Sequence, residues 1–521
     1  MHKVLLIGLD GATWRVLKPL MAIGKMPNLK RLCEEGSRGI LFSTIPPLTP
    51  PAFASFLTGV NPAKHGIIDF QQIDVNTGEI KIVNANSLPY KTILEIVSEN
   101  KKTVVSINVP LTYPPAKVNG VIIGGFLSPK EDKSFVYPKK IYNLLSQCNY
   151  KIVGMSPKKK AYLPIENIID DLISVETIRF KVAKKLINEF PWDVFIVHNY
   201  SLDTVQHAFF HLLDENVSEE EFLKIVKFYE KTDNLIGELL EKIDPKETTV
   251  ILFSDHGFKP VKKVVSLNSF LYQKGYLFPK ISTKMRFVKM LKLAKIKRFI
   301  ERADKKDLRY KLYSLLRMDK EARKKAVVRF TSGNIDFSKS TAFAKDGCFW
   351  GNVYLKGNLR KIERDFECLK DNEKKVVKNI FYPARLYNGV FLEKLPHLVL
   401  RPEEDYSFIP GSPHQELFHE IDPKKENTGI HDLEGILIMW GNRVKQGVHL
   451  KCQILDLPPT ILALVGLAIP AYMDGRVIEE AFSERLAIKK KEKFEAIERI
   501  TDFSSTEQEI IEQRLKDLGY F

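Results

Sequence analysis

The chain has 521 residues and 44% hydrophobic content, enough to bury sizeable cores in roughly two to four domains. It carries 80 Lys and Arg against 64 Asp and Glu, a formal net charge of +16, yet it has no uninterrupted apolar run of about 18 residues, so a membrane-spanning helix is not expected. Its cysteines, Cys33, Cys148, Cys348, Cys368 and Cys452, are odd in number and widely spaced, which excludes a disulfide framework and a cysteine zinc motif and favours a reducing interior.

The first element is the apolar run Val4 to Leu9, a buried strand closed by the turn Asp10-Gly11. Because Asp10 interrupts the run, no secretory leader is read there and a cytoplasmic protein is expected. Thr49-Pro50-Pro51 then opens an apolar stretch that stops at Thr58-Gly59. A Thr before Pro has the form of a helix N-cap, with Pro tolerated in the first turn. The helix dipole there favours an alkoxide and an incoming phosphoryl group. Thr44 and Thr58 are rivals to Thr49 by residue type alone.

A second buried run, Asp193 to His198, leads to Asp203 and His207, whose spacing of one helical turn lets both face one ion. A third, Thr248 to Ser254, ends in Asp255-His256-Gly257. Runs apolar on both faces, separated by helical segments, predict an α/β fold with a mostly parallel sheet between helices. The carboxyl ends of such strands line one crevice, so Asp10, Asp203 and Asp255 are expected at a single rim.

From 259 to 428 the chain becomes more polar and helical, with Trp350 to Gly357 and Leu386 to Phe391 reading as short strands or turns. Residues 1–258 and 429–481 are therefore expected to form the catalytic core, and 259–428 an inserted α+β cap over the rim that selects substrate. Within the cap, Lys284 to Lys325 hold 17 Lys or Arg against 5 Asp or Glu. Phe287, Met290, Leu291, Ala294 and Phe299 recur there at helical spacing, and Lys289, Lys292 and Lys295 lie between them. A solvated helix face, a funnel for anionic substrate and a dock on the inner face of an anionic membrane are the three readings; no nucleic-acid motif accompanies the charge. Residues 482–521 read as a helical extension without chemistry, with a capping box at Ser504 to Glu507 and a stop at Gly519.

Carboxylate oxygen mixed with imidazole nitrogen suits Zn²⁺ first and Mn²⁺ second. Two such ions roughly 4 Å apart can hold the entering and leaving oxygens of a displacement at phosphorus, and a hydroxyl acidified by one becomes the nucleophile. Each residue has a structural alternative, since a lone Asp at a strand end caps a turn as readily as it binds metal. His198 can back a ligand but reads rather as a satisfied supporting or core histidine, His65 reads as structural, and His211 and His419 as merely present. His414 competes with His431, but only His431 sits in a Gly-x-His-x-x-x-Gly context. Asp69 has a weak claim as a polar contact.

The ordered set Asp10, Thr49 to Ile67, Asp203-x-x-x-His207, Ser254-Asp-His-Gly257 and Gly429-Ile-His431-x-x-x-Gly435, with Asp456 to Gly466 and Met473-Asp-Gly-Arg476 behind it, resembles the type I phosphodiesterase / nucleotide pyrophosphatase family of the alkaline phosphatase superfamily. The resemblance implies an alkaline-phosphatase-like sandwich and two divalent metal ions. It places Asp203, His207 and His431 on one ion, and Asp10, Thr49, Asp255 and His256 on the other, with Thr49 transiently phosphorylated. Two departures count against a nucleotide substrate. The family's Asn soon after His-Gly-Ile is missing from His65-Gly-Ile-Ile-Asp69-Phe70, and Pro50 removes the backbone N–H next to the nucleophile.

No sulfatase Cys or Ser nucleophile with its Pro and Arg is present, and no Arg follows Thr49 to grip a monoester dianion, although Lys64 is a rival for that role. The expected activity is phosphodiester hydrolysis of an anionic small molecule or lipid headgroup. A phosphotransferase on the same scaffold is the alternative in class. A non-catalytic basic membrane-surface protein is the alternative outside it, and seven intact ligand positions argue against that reading. Nothing in the sequence fixes the oligomeric state.

Overall fold

The computed structural model describes residues 2–73, 80–213, 217–280, 335–345, 349–356, 359–491, 503–518 and 520. The basic stretch Lys284 to Lys325, Cys348 and Gly519 lie outside the described residues. The chain divides into two units. One comprises Met1–Lys262, Phe381–Leu395 and Ile421–Phe521, and the other Lys263–Ile380 and Pro396–Glu420. Of the span 259–428, residues 259–262, 381–395 and 421–428 therefore belong to the first unit, where Leu386 ends the short helix Pro383–Leu386 and the chain runs on to Phe391 as a turn.

The first unit is built on a nine-stranded sheet. In chain order its strands are β1 (Lys3–Leu9), β2 (Ser37–Phe42), β3 (Val104–Val109), β4 (Gly120–Gly124), β5 (Val136–Tyr137), β6 (Val194–Asn199), β7 (Thr248–Phe253), β8 (Glu434–Trp440) and β9 (His449–Gln453). Across the sheet they lie in the order β9-β2-β8-β7-β1-β6-β3-β4-β5. The central five, β7, β1, β6, β3 and β4, are mutually parallel. Only β8, between β7 and β2, and the edge strand β5 run against their neighbours. Every residue of β3, β6 and β7 is buried. Successive side chains point to opposite faces, so both faces are covered, as the doubly apolar runs predict.

Five helices of this unit matter for the site or its surroundings: α1 (Thr49–Thr58), α2 (Ile165–Glu189), α3 (Ser201–Phe209), α4 (Leu457–Leu464) and α5 (Ser505–Leu518). Helix α1 ends where its sequence predicts, at Gly59, whose φ of +74° is left-handed. Helix α5 opens with the expected capping box. Glu507 N donates to Ser504 Oγ at 3.3 Å, and Ser504 N donates to Glu507 Oε2 at 2.9 Å. Among the described residues from 482 onward, only Ser505–Leu518 is α-helical; Lys490–Lys491 instead pairs in parallel with Ile469–Pro470.

The second unit is α+β. A four-stranded sheet orders Ala342–Ala344, Gly351–Leu355, Leu398–Pro402 and Val377–Phe381. Helix Leu359–Glu367 buries Ile362 and Phe366. Among the described residues no helix is long and apolar enough to cross a membrane.

Candidate metal centre

Three parallel strands deliver acids to one edge. Asp10 follows β1, and the next residue, Gly11, has φ +67°, where a Cβ would lie 2.5 Å from the Phe258 ring. Glycine alone suits that turn. Gln206 Nε2 donates to Gly11 O at 2.8 Å, while Gly11 N donates to Asp255 Oδ1 at 3.2 Å. The turn after β1 is thus tied to both neighbouring strand ends. Strand β7 runs directly into Ser254, Asp255 and His256. Strand β6 leads into α3, where Asp203 and His207 lie one turn apart, Nε2 of the His 3.4 Å from Oδ1 of the Asp.

His431 arrives by a different route. It lies on the strand Gly429–Asp432, which pairs antiparallel with the start of Gly257–Ser266, His431 opposite Phe258. Because Gly257–Ser266 begins immediately after His256, this pairing brings residues distant in sequence to the same rim.

Thr49 is the first helical residue of α1, not its N-cap; the cap is Leu48, with extended backbone, and no side chain caps the helix. The prolines explain this correction. Residues 50 and 51 offer no N–H, and the first free amide, Ala52 N, donates to Leu48 O at 3.0 Å. The Thr49 hydroxyl instead lies 3.3 Å from His256 Nε2. Its rivals are engaged locally: Thr44 Oγ1 donates to Pro46 O at 3.0 Å, and Thr58 Oγ1 to Ala54 O at 2.5 Å. Helix α1 is seated by Phe53, edge-on to His198 at 4.8 Å, and by Phe56, stacked on Phe253 at 4.8 Å.

The donors form two adjoining groups: Asp10, Asp255 and His256, and Asp203, His256 and His431, each with ligand atoms within 4.8 Å of one another. His207 joins the second group, its Nε2 2.9 Å from His431 Nε2. The hydrogen bonds fix which imidazole nitrogens face inward. Nδ1 of His207 bonds Gly429 O at 2.8 Å, Nδ1 of His431 bonds Pro47 O at 3.0 Å, and Nδ1 of His256 bonds Gly257 O at 3.2 Å. A carbonyl can only accept, so each Nδ1 carries a proton and each Nε2 is turned toward the carboxylates.

Burial pushes His207 down to about 4, and burial with the nearby His256 pushes His431 well below its ordinary value. Both are neutral near pH 7. Lone pairs 2.9 Å apart, with Asp203 Oδ1 3.1 Å from His431 Nε2, repel one another unless a cation lies between them.

The carboxylates carry the same message. Neither oxygen of Asp10, nor Oδ2 of Asp255, has a hydrogen-bond partner, although both residues are buried. Burial, then the negative charge of Asp255 and Asp203, raises Asp10 well above the ordinary carboxylate range; burial chiefly raises Asp255. Such crowding costs free energy without a positive charge at its centre. The donor set is of a kind that holds divalent metal.

The other histidines fall elsewhere. His198 Nε2 lies 3.4 Å from Asp10 Oδ2, behind the site. His65 Nε2 pairs with Ser55 Oγ at 3.1 Å, and His211 Nδ1 with Thr428 Oγ1 at 3.0 Å. His414 and His419 belong to the second unit, His414 edge-on to Tyr272 at 4.9 Å. Asp69 Oδ1 accepts from Phe70 N at 2.6 Å. Lys64 is ion-paired with Asp474 at 2.5 Å.

Two groups escaped sequence reasoning. Tyr520, from the extension read as having no chemistry, donates to Asp203 Oδ2 at 2.8 Å. Glu176 Oε1, on α2, accepts from Ser201 N at 3.1 Å and Ser201 Oγ at 2.6 Å, fixing the start of α3, and its charge is met by buried Arg179. No local motif marks either one. Glu176 and Arg179 at i and i+3 within an otherwise mixed helix are the only trace.

A family model described as type I phosphodiesterase / nucleotide pyrophosphatase matches residues 4–431. No curated protein matches the chain in sequence. Among solved structures, phosphonoacetate hydrolase from Sinorhizobium meliloti 1021, in complex with phosphonoacetate, is 16% identical with a TM-score of 0.57, over 89% of this chain and 96% of that one. Human ectonucleotide pyrophosphatase / phosphodiesterase 5 is 11% identical with a TM-score of 0.50, over 92% of this chain and 100% of that one. These likenesses carry the alkaline-phosphatase-like fold. With the family match spanning most of the chain, this protein belongs to the type I phosphodiesterase / nucleotide pyrophosphatase family of the alkaline phosphatase superfamily and is a hydrolase of phosphoric ester bonds.

Proposed function

We propose that the protein hydrolyses phosphodiesters at a two-metal centre through Thr49. The observation that carries this reading is the place of the Thr49 hydroxyl, buried and 3.3 Å from Nε2 of His256, the residue common to both donor groups. Asp10, Thr49, Asp255 and His256 would hold one ion, and Asp203, His207 and His431 the other. Zn²⁺ suits this mixed set best and Mn²⁺ next. When bound, the ions supply positive charge at the phosphoryl oxygens and acidify a hydroxyl.

The chain's own residues then do the following. Thr49 Oγ forms a bond to phosphorus as the bond to the first alcohol breaks, and that alcohol leaves with a proton. Water next cleaves the Thr49 phosphoester, restoring the hydroxyl and releasing the second product as a phosphomonoester. The rigid hydrogen bonds of the three Nδ1 atoms to backbone carbonyls hold the imidazoles in orientation throughout.

Two features favour a diester over a monoester. Lys64, the cation nearest Thr49 in the motif, is committed to Asp474. Pro50 has no N–H with which to meet an additional phosphoryl charge. The substrate class this supports is an anionic small-molecule phosphodiester, with nucleotide, sugar-phosphate and lipid-headgroup esters as its members to test. Metal content should be measured alongside hydrolysis of a chromogenic diester and the matching monoester. Predominant diester cleavage, abolished by chelation and restored by Zn²⁺ or Mn²⁺, is expected; exclusive monoester cleavage would overturn the assignment.

A further inference from the structure

Residues 503–518 and Tyr520 are fastened to the rest of the first unit by specific contacts. Arg514, although cationic, is half-buried, and its guanidinium donates to the carbonyls of Phe126 at 2.6 Å, Ser128 at 2.5 Å and Pro129 at 3.3 Å. Tyr113 OH donates to Glu507 Oε1 at 3.0 Å, and the Tyr113 ring stacks on Phe503 at 5.6 Å. Ser156 Oγ donates to Asp517 O at 2.7 Å. Tyr520 N donates to Leu515 O of α5 at 3.0 Å.

The Tyr520 side chain lies in the rim. Its ring lies 4.5 Å from Phe70 and edge-on to His207 at 5.6 Å, and only 4% of the residue is exposed. Its hydroxyl donates to Asp203 Oδ2 at 2.8 Å. The other oxygen, Oδ1, faces His431 Nε2 at 3.1 Å and His207 Nε2 at 3.4 Å. The two oxygens of Asp203 are therefore divided between a phenol and the donor cluster.

We propose that Tyr520 is a positioning residue of the metal centre, holding Asp203 as a one-oxygen ligand, and that residues 503–518 with Tyr520 form a clasp that completes the site. The proposal rests on the two-metal reading above. A carboxylate left without this partner can rotate about its terminal torsion and present either oxygen, or both, to an ion. Hydrogen-bond partners of metal ligands typically contribute about 10- to 100-fold in metal affinity. Tyr520→Phe deletes only the hydroxyl and keeps the ring against Phe70 and His207.

The test is a Zn²⁺ titration of the metal-free full chain, wild type and Tyr520→Phe, in competition with a chromogenic chelator, together with thermal unfolding of both metal-free proteins. Expected are two ions bound by the wild type, one of them about 10-fold or more weaker in the variant, and equal metal-free unfolding midpoints. Equal affinities at both sites in the variant would overturn the positioning role while leaving the two-metal reading standing. Tighter binding in the variant would also overturn it, because the hydroxyl would then be obstructing the site. A wild type that binds no Zn²⁺ would remove the two-metal reading and the proposal with it.

Discussion

The imidazoles of His256 and His431 stack with ring centroids 3.6 Å apart and planes 23° from parallel. One belongs to the strand end that carries Asp255, the other to the returning strand opposite Phe258. The two donor groups thus share a wall, and His256 belongs to both. Removing His431 takes a ligand from one group and the stacking partner from the other.

His431→Ala and Asp203→Ala should each lower bound metal from about two ions per chain toward one, because each group has few protein donors. Metal analysis after gel filtration provides the count. His414→Ala should leave it unchanged, since His414 is in neither donor group. Retention of both ions in His431→Ala, with loss in His414→Ala, would make His414 the ligand in place of His431.

Thr49→Ala should keep the fold and lower turnover of a diester by about 100-fold or more, as expected for loss of an activated nucleophile. Thr49→Ser, which restores a hydroxyl, should recover part of it. Acid-quenched reactions of the wild type should carry a phosphoryl-bearing peptide spanning Thr49. Near-normal turnover in Thr49→Ala would mean that water attacks directly, since Thr44 and Thr58 are already bonded to carbonyls.

Much of this centre was legible before any coordinates. The doubly apolar runs ending in Asp10 and Asp255 gave parallel strands and a common rim because strand direction dictates where such acids emerge. The i, i+4 pair Asp203 and His207 shares a helix face for the same periodic reason. The N-cap falls at Leu48 rather than Thr49, because Pro51 has no amide for a capping hydroxyl to bind and the amide of Ala52 bonds Leu48 O instead. Tyr520 and Glu176 were invisible because each acts through tertiary contact alone. Only the folded chain brings a tyrosine from beyond α5 to Asp203, or a glutamate from α2 to the amide of Ser201.

Glu176 gives a stability prediction. It lies fully inside the first unit beside Arg179, and it also accepts from Ser201. Glu176→Ala leaves the guanidinium buried with its charge uncompensated, a change that typically costs about 3–5 kcal/mol. Urea unfolding of the metal-free protein should show that loss, with a smaller one for Glu176→Gln, which keeps an oxygen for Ser201. A cost below about 1 kcal/mol would mean that the pair contributes no more than a surface ion pair.

His65 sets a pH dependence that is independent of metal. Ile67 N donates to its Nδ1 at 3.1 Å, so Nε2 carries the proton toward Ser55 Oγ, and burial lowers the folded-state value to about 3. The unfolded chain binds a proton at this residue near pH 6.5, well before the folded chain does. Stability from this site is therefore complete above pH 6.5 and declines as pH falls toward 3, by about 1.4 kcal/mol per pH unit. His65→Gln should be less stable than wild type at pH 7.5, but it cannot bind the proton in either state. Its deficit, measured by urea unfolding without metal, should therefore shrink by about 2 kcal/mol at pH 5. A deficit of the same size at both pH values would mean that the imidazole is protonated as readily in the fold as outside it.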